Sequence, residues 1–179
     1  MKAIVYVPNP VLVAPTKFVT KLDHKTLDLI SEMAKTLIQA DKPKGVGLAA
    51  PQVGVDLRIF VVHEDESNPV QVFINPKIIA QSRETSGIPG KEKRLEGCLS
   101  IPNVWGEVKR ATWITLKYLD KKGKWREQKF TGFPAVIIQH ELDHLDGILF
   151  TQRVLEQKGQ LYKPGVDEDG KEILEPIDL

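Results

Sequence analysis

The pentapeptide His140-Glu141-Leu142-Asp143-His144 constrains this chain more than any other stretch. It lies in a segment with helical apolar spacing, where positions i and i+4 stack on one face. Both imidazoles can therefore point at a single metal ion. Glu141, beside the first of them, can reach a water held by that ion. Two surface histidines on an amphipathic helix are the plain alternative. The intervening glutamate and the apolar run ahead of it argue against that. Phe133, Val136, Ile137, His140 and His144 share one broad face, which puts the metal-binding stripe toward the core rather than solvent.

Two histidines do not complete a catalytic site, which usually has three protein ligands and one open position. The longer pattern H-E-x-x-H-x-x-G-x-x-H is met at Gly147, but Phe150 stands where the third histidine should be. A downstream glutamate (Glu156, Glu168 or Glu172) would give the ligand set of a metalloprotease, yet all three lie in a polar tail. The remaining candidate is Cys98, the only cysteine of the chain. Its plain role is that of a small buried apolar residue. Beside Gly97 in a tight extended segment, it could instead present a thiolate to a metal.

Length and charge set the frame. The 179 residues suit one domain with a real core, spanning 1–179, with a polar tail from about 152 whose structure stays open. Lys plus Arg is 25 and Asp plus Glu is 24, so a net charge of +1 gives no reason to propose nucleic acid or an anionic membrane as a partner. A single cysteine excludes an internal disulfide framework. Residues 1–6 are followed at once by Pro8 and Pro10, unlike a signal or transit segment. No apolar run approaches membrane-spanning length. These features predict a soluble cytoplasmic protein.

Along the chain, a short strand is expected near residues 3–7. Asp23 can cap a helix whose apolar positions are Leu27, Ile30, Met33, Ala34, Leu37 and Ile38, and which must end before Pro43. Gly45-Val46-Gly47-Leu48-Ala49-Ala50-Pro51-Gln52 is either a turn with small residues for packing or a backbone that a ligand approaches closely. It lacks the spacing of a phosphate loop. Residues 57–63 and 70–74 read as strands, Asn75-Pro76 as a break, 77–81 as extended and 82–94 as an exposed loop. Residues 108–119 alternate as a strand, 120–123 form a hairpin turn, and 124–130 return as its partner. Thr131 and Gly132 open the second helix, and Gly147 stops it. A turn at 167–170 could join strands at 161–163 and 173–174.

Three segments together resemble peptide deformylase: Gly45 to Gln52, Glu96-Gly97-Cys98-Leu99-Ser100, and His140 to His144. They match the family's G-φ-G-φ-A-A-x-Q, E-G-C-φ-S and H-E-φ-D-H in full and in order. Ile74-Asn75-Pro76 and Leu145-Asp146-Gly147 fit as well, and the resemblance covers roughly residues 1–155. It implies an α+β fold in which antiparallel β-sheets surround a central metal-binding helix. It implies removal of the formyl group from N-formylmethionine on nascent polypeptides at the ribosome, releasing formate. Cys98, His140 and His144 would hold one divalent metal, Fe²⁺ by preference, with Zn²⁺ or Ni²⁺ able to substitute. Water on that metal would attack, Glu141 would be the acid/base, and Gln52 with the Leu99 N–H would face the oxyanion. The backbone around Gly47 would pair with the peptide, and Val46, Phe133, Val136 and Ile137 would form the slot for methionine. Three features depart from the common pattern: a longer 82–94 loop, Val13 in place of an arginine, and no long C-terminal amphipathic helix. A link between Glu96 and Arg110 is expected to anchor the cysteine loop, and Asp143 is expected to support the ligands from outside or to form a salt bridge rather than to bind the metal.

Overall fold

The computed structural model describes residues 1–41, 44–65, 67–85 and 95–178. The expected stop at Pro43 and most of the loop expected at 82–94 lie outside those residues.

Helix α1 (His24–Gln39) begins where Asp23 accepts a hydrogen bond from the Thr26 N–H at 3.0 Å. Its buried stripe is Thr26, Leu29, Ile30, Met33, Thr36 and Leu37. That stripe is rotated from the expected one: Leu27 and Ile38 face solvent, and Leu29 goes inside. The 45–52 stretch is neither a plain turn nor a loop. It forms strand β1 (Gly47–Ala49) and then a 3-10 turn, Ala50–Val53.

Strands β2 (Ile59–Val62) and β3 (Gln71–Gln81) follow. The break expected at Asn75-Pro76 is instead a bulge inside β3. Asn75 adopts φ 51°, and its side chain exchanges two hydrogen bonds of 2.8 Å with the Val19 backbone. That distant partner holds the strand through a proline that would otherwise end it.

Strands β4 (Glu96–Cys98) and β5 (Ile101–Gly106) come next, then β6 (Trp113–Leu119) and β7 (Trp125–Thr131). The β6–β7 hairpin turns at Asp120, whose Oδ1 accepts from the Lys122 and Lys124 N–H groups. The strand expected from 108 starts only at Trp113, because Val108 and Arg110 turn into the interior. Residues 3–7 form no strand. Val5 N–H bonds to Gln52 and Val7 N–H to Ser100, so no continuous ladder develops.

Helix α2 (Phe133–Leu145) carries the histidines and ends before Gly147, at φ 73°. A Cβ there would sit 2.8 Å from the Val13 and Ala14 backbone, so only glycine fits. The tail is more structured than its polarity suggests. Helix α3 (Phe150–Glu156) buries Phe150 and Val154, and β8 (Leu161–Val166) with β9 (Glu172–Pro176) forms the expected hairpin.

Two antiparallel sheets result, ordered β1-β2-β3-β6-β7 and β4-β5-β8-β9. Helix α2 belongs to the core over the larger sheet, where Ala135, Ile138, Leu142 and Leu145 join Phe60, Phe73, Ile114 and Leu116. Phe60 stacks on Phe73 at 4.6 Å, and Phe73 meets Tyr118 at 4.7 Å. Each fully buried leucine or phenylalanine here contributes about 1.5–3 kcal/mol. A second cluster under the smaller sheet joins Cys98, Ile101, Val108, Phe150, Val154 and Leu161. The cysteine strand is thus packed from behind by α3. This is the expected α+β arrangement of antiparallel sheets around a central helix, the one that carries His140 and His144.

Candidate active site

Two elements meet at one point. Helix α2 brings His140 and His144, whose rings lie 5.0 Å apart and nearly perpendicular. Strand β4 brings Cys98, and a register shift between Gly97 and Cys98 re-aims the side chain. The Cys98 Sγ lies 3.2 Å from His144 Nε2. Ligand atoms of Cys98, His140 and His144 all fall within 4.8 Å of one another. Metal–sulfur and metal–nitrogen bonds of about 2.0–2.3 Å put tetrahedral ligands about 3.4–3.7 Å apart, so this donor set fits one divalent ion. Burial works to raise the Cys98 thiol. The charges and hydrogen bonds of His144 and His140 outweigh it and hold the thiol well below its usual value. The glutamates of the protease alternative are elsewhere: Glu156, Glu168 and Glu172 are all exposed.

A buried ion-pair network fixes the ligands from outside. Glu96 accepts from Arg110 at 2.8 and 2.9 Å and lies 2.9 Å from His140 Nδ1. That leaves the other nitrogen of His140 free for a metal. Arg110 also bonds Asp143, which Arg153 reaches at 2.7 Å. Burial alone would raise the Glu96 carboxyl, but Arg110 and His140 bring it down to about 2. The expected Glu96–Arg110 link and the support from Asp143 are both present. Arg153 joins them unannounced, since α3 carries no strong periodic signal. Removing one member of such a network costs about 3–5 kcal/mol, because the partner charge is left buried.

Glu141 and Gln52 face the same space. Glu141 is 3% exposed, and its Oε2 has no hydrogen-bond partner among the described residues. Burial pushes its carboxyl up to about 7, against the pull of the two histidines. Gly47 on β1 makes room for it: a Cβ there would come within 2.8 Å of Glu141 Cδ. Gln52 is held by its carbonyl, which accepts from the Ala49 N–H at 2.8 Å, so its amide nitrogen is fixed 3.4 Å from Cys98 Sγ. A cleft of about 330 Å³ opens over these groups, lined also by Val46, Leu99, Phe133, Val136 and Ile137. Every residue expected at the site is therefore on or under this cleft. Trp105 and Glu107 line it too. Trp105 reaches it through the pairing of β5 with β4, and Glu107 directly follows the end of β5, so no spacing in the sequence marks them.

A family model described as polypeptide deformylase matches residues 1–160. The chain belongs to the peptide deformylase family. A peptide deformylase of Dehalococcoides mccartyi is 41% identical over 169 residues, covering 94% of this chain and 95% of that protein. One of Halothermothrix orenii is 47% identical over 147 residues, covering 82% and 89%. The solved peptide deformylase of Thermotoga maritima superposes with a TM-score of 0.76 at 39% identity, covering 86% of this chain and 97% of that one. The chain is thus a deformylase, an enzyme that removes N-formyl groups from nascent peptides, and Cys98, His140 and His144 form its metal-binding triad. Among the described residues, no helix is long and apolar enough to cross a membrane.

Proposed function

We propose that residues 1–179 act as one catalytic domain, in the cytoplasm and at the ribosome, on chains that begin with N-formylmethionine. The triad holds Fe²⁺ in the cell, and Zn²⁺ or Ni²⁺ can take its place. A divalent ion in this site supplies Lewis acidity that makes a water nucleophilic at neutral pH. Glu141 takes the proton from the attacking water and gives one to the leaving amine. The observation that carries this role is its buried Oε2 beside the ligands, without a hydrogen-bond partner among the described residues. The Gln52 amide and the Leu99 N–H stabilise the oxyanion that forms on the formyl group. Val46, Phe133, Val136 and Ile137 take the methionine side chain. The edge of β1 at Gly47 offers backbone groups to the peptide.

Formate release from N-formyl-Met-Ala-Ser, with elemental analysis of protein purified without oxygen, tests the assignment. We expect iron at close to one ion per chain and turnover that survives exchange to nickel. Protein that carries only zinc and gains nothing from iron would overturn the choice of metal.

Gln52→Leu keeps the volume and removes one oxyanion donor. Expected is a loss of about 10²–10³ in kcat. The Ala49 N–H also loses its partner, so a lower Tm is expected alongside. An unchanged kcat with a raised KM would make Gln52 a residue that only positions substrate.

A further inference from the structure

Trp105 belongs to two grooves. It lines the catalytic cleft, and it also walls a second groove with Pro164, Val166, Glu172 and Leu174 of the β8–β9 hairpin. Strand register explains the continuity. Gly97 pairs with Trp105, Trp105 with Tyr162, and Tyr162 with Pro176. Directly opposed residues of antiparallel strands share a face, as do residues two apart along a strand. Trp105, Tyr162, Pro164, Val166, Leu174 and the charged Glu172 therefore stand on one face. The Trp105 ring lies across Gly97, next to the ligand Cys98: a Cβ on Gly97 would be 3.1 Å from its Nε1.

The other face of the hairpin carries Leu161 into the core, an exposed Lys163–Glu175 ion pair, and Ile173, which is half-exposed. The front face is bare, with Val166 64% and Leu174 44% exposed. Both side chains border a groove that is continuous, through Trp105, with the cleft. The hairpin also follows residue 160, where the family match ends.

We propose that this face is a second binding surface for the formylated chain, taking apolar side chains downstream of the methionine. The proposal rests on the reading that the cleft seats the formylated N-terminus, and Trp105 is the wall the two surfaces share. From the Gly97 row the strip runs about two to three strand spacings across and two to four residues along, roughly 12–16 Å. An extended peptide rising about 3.3 Å per residue covers that in about four to five residues. Substrate residues from about the fifth onward, counted from the methionine, are the ones that reach it. The surface acts through binding and leaves the chemical step alone.

The test compares kcat and KM for three substrates: N-formyl-Met-Ala-Ser, a formylated octapeptide with leucine at positions five to seven, and one with serine there. The wild-type enzyme should favour the leucine octapeptide by about threefold to tenfold through KM, with kcat unchanged. In the double variant Val166→Ser, Leu174→Ser, that preference should fall below about twofold while tripeptide kinetics stay as in wild type. Equal KM values for the two octapeptides on wild type, or a preference that survives the double variant, would overturn the proposal. So would a dimer in sedimentation that the variant dissolves with octapeptide kinetics unchanged, which would assign the strip to a second copy of this chain. Tripeptide turnover keeps the two readings apart. Its absence in wild type would sink the catalytic assignment and this surface with it. Normal tripeptide rates with indifferent octapeptides would sink the surface alone.

Discussion

Glu141→Gln should remove nearly all formate release and leave the metal in place. The side chain is buried, and its Oε2 is offered no hydrogen bond by the described residues. A glutamine of the same shape keeps the helix and the contact with Gly47 while removing the base. General acid–base groups contribute about 10²–10⁴ in rate, and the expected fall in single-turnover formate release is at least of that order. Metal content should stay near that of wild type, because Cys98, His140 and His144 make up the donor set without it. Substrate affinity should change little, since the apolar lining of the cleft is untouched. Retained activity would mean that another group moves the proton. Loss of metal together with activity would mean that Glu141 is itself a ligand.

What the sequence reveals of this fold depends on how local the cause is. Helix α2 and the β6–β7 and β8–β9 hairpins are legible, because periodicity and turn residues act within a few positions. The phase of α1 is not: Leu27 and Leu29 are both apolar, and only the approach of the larger sheet decides that Leu29 goes in. The continuation of β3 through Asn75-Pro76 depends on Val19, and the inward turn of Arg110 depends on Glu96 and Asp143. None of these partners is near in sequence. Helix α3 is seven residues long with only Phe150 and Val154 buried, too short for a stripe to register. The site itself was more legible than its supports. Ligand types and spacing are written in the motifs, while Trp105 and Arg153 join through strand pairing and helix docking.

Cys98→Ala should lose most of the bound metal, and this substitution separates the deformylase ligand set from the protease one. The sulfur lies 3.2 Å from His144 Nε2 and accepts from the Gln52 amide at 3.4 Å. Packing against Phe150 and Val108 holds its backbone, so an alanine there leaves the strand where it is. What goes is the thiolate, one of three ligands, and two imidazoles on a helix are a far weaker chelate. Even outer partners of metal ligands are worth about 10–100-fold in affinity, and a ligand itself should cost more. After dialysis the variant should hold less than about a tenth of the wild-type metal, with near-normal circular dichroism. Glu168→Ala and Glu172→Ala should keep theirs. Glu168 sits in the β8–β9 turn and Glu172 opens β9, both exposed, while Glu156 at the end of α3 is occupied by Arg153 at 3.3 Å. A fully metallated Cys98→Ala protein would show that some other side chain closes the site. The sulfur would then be packing, and the chemistry assigned to the cleft would need a different third ligand.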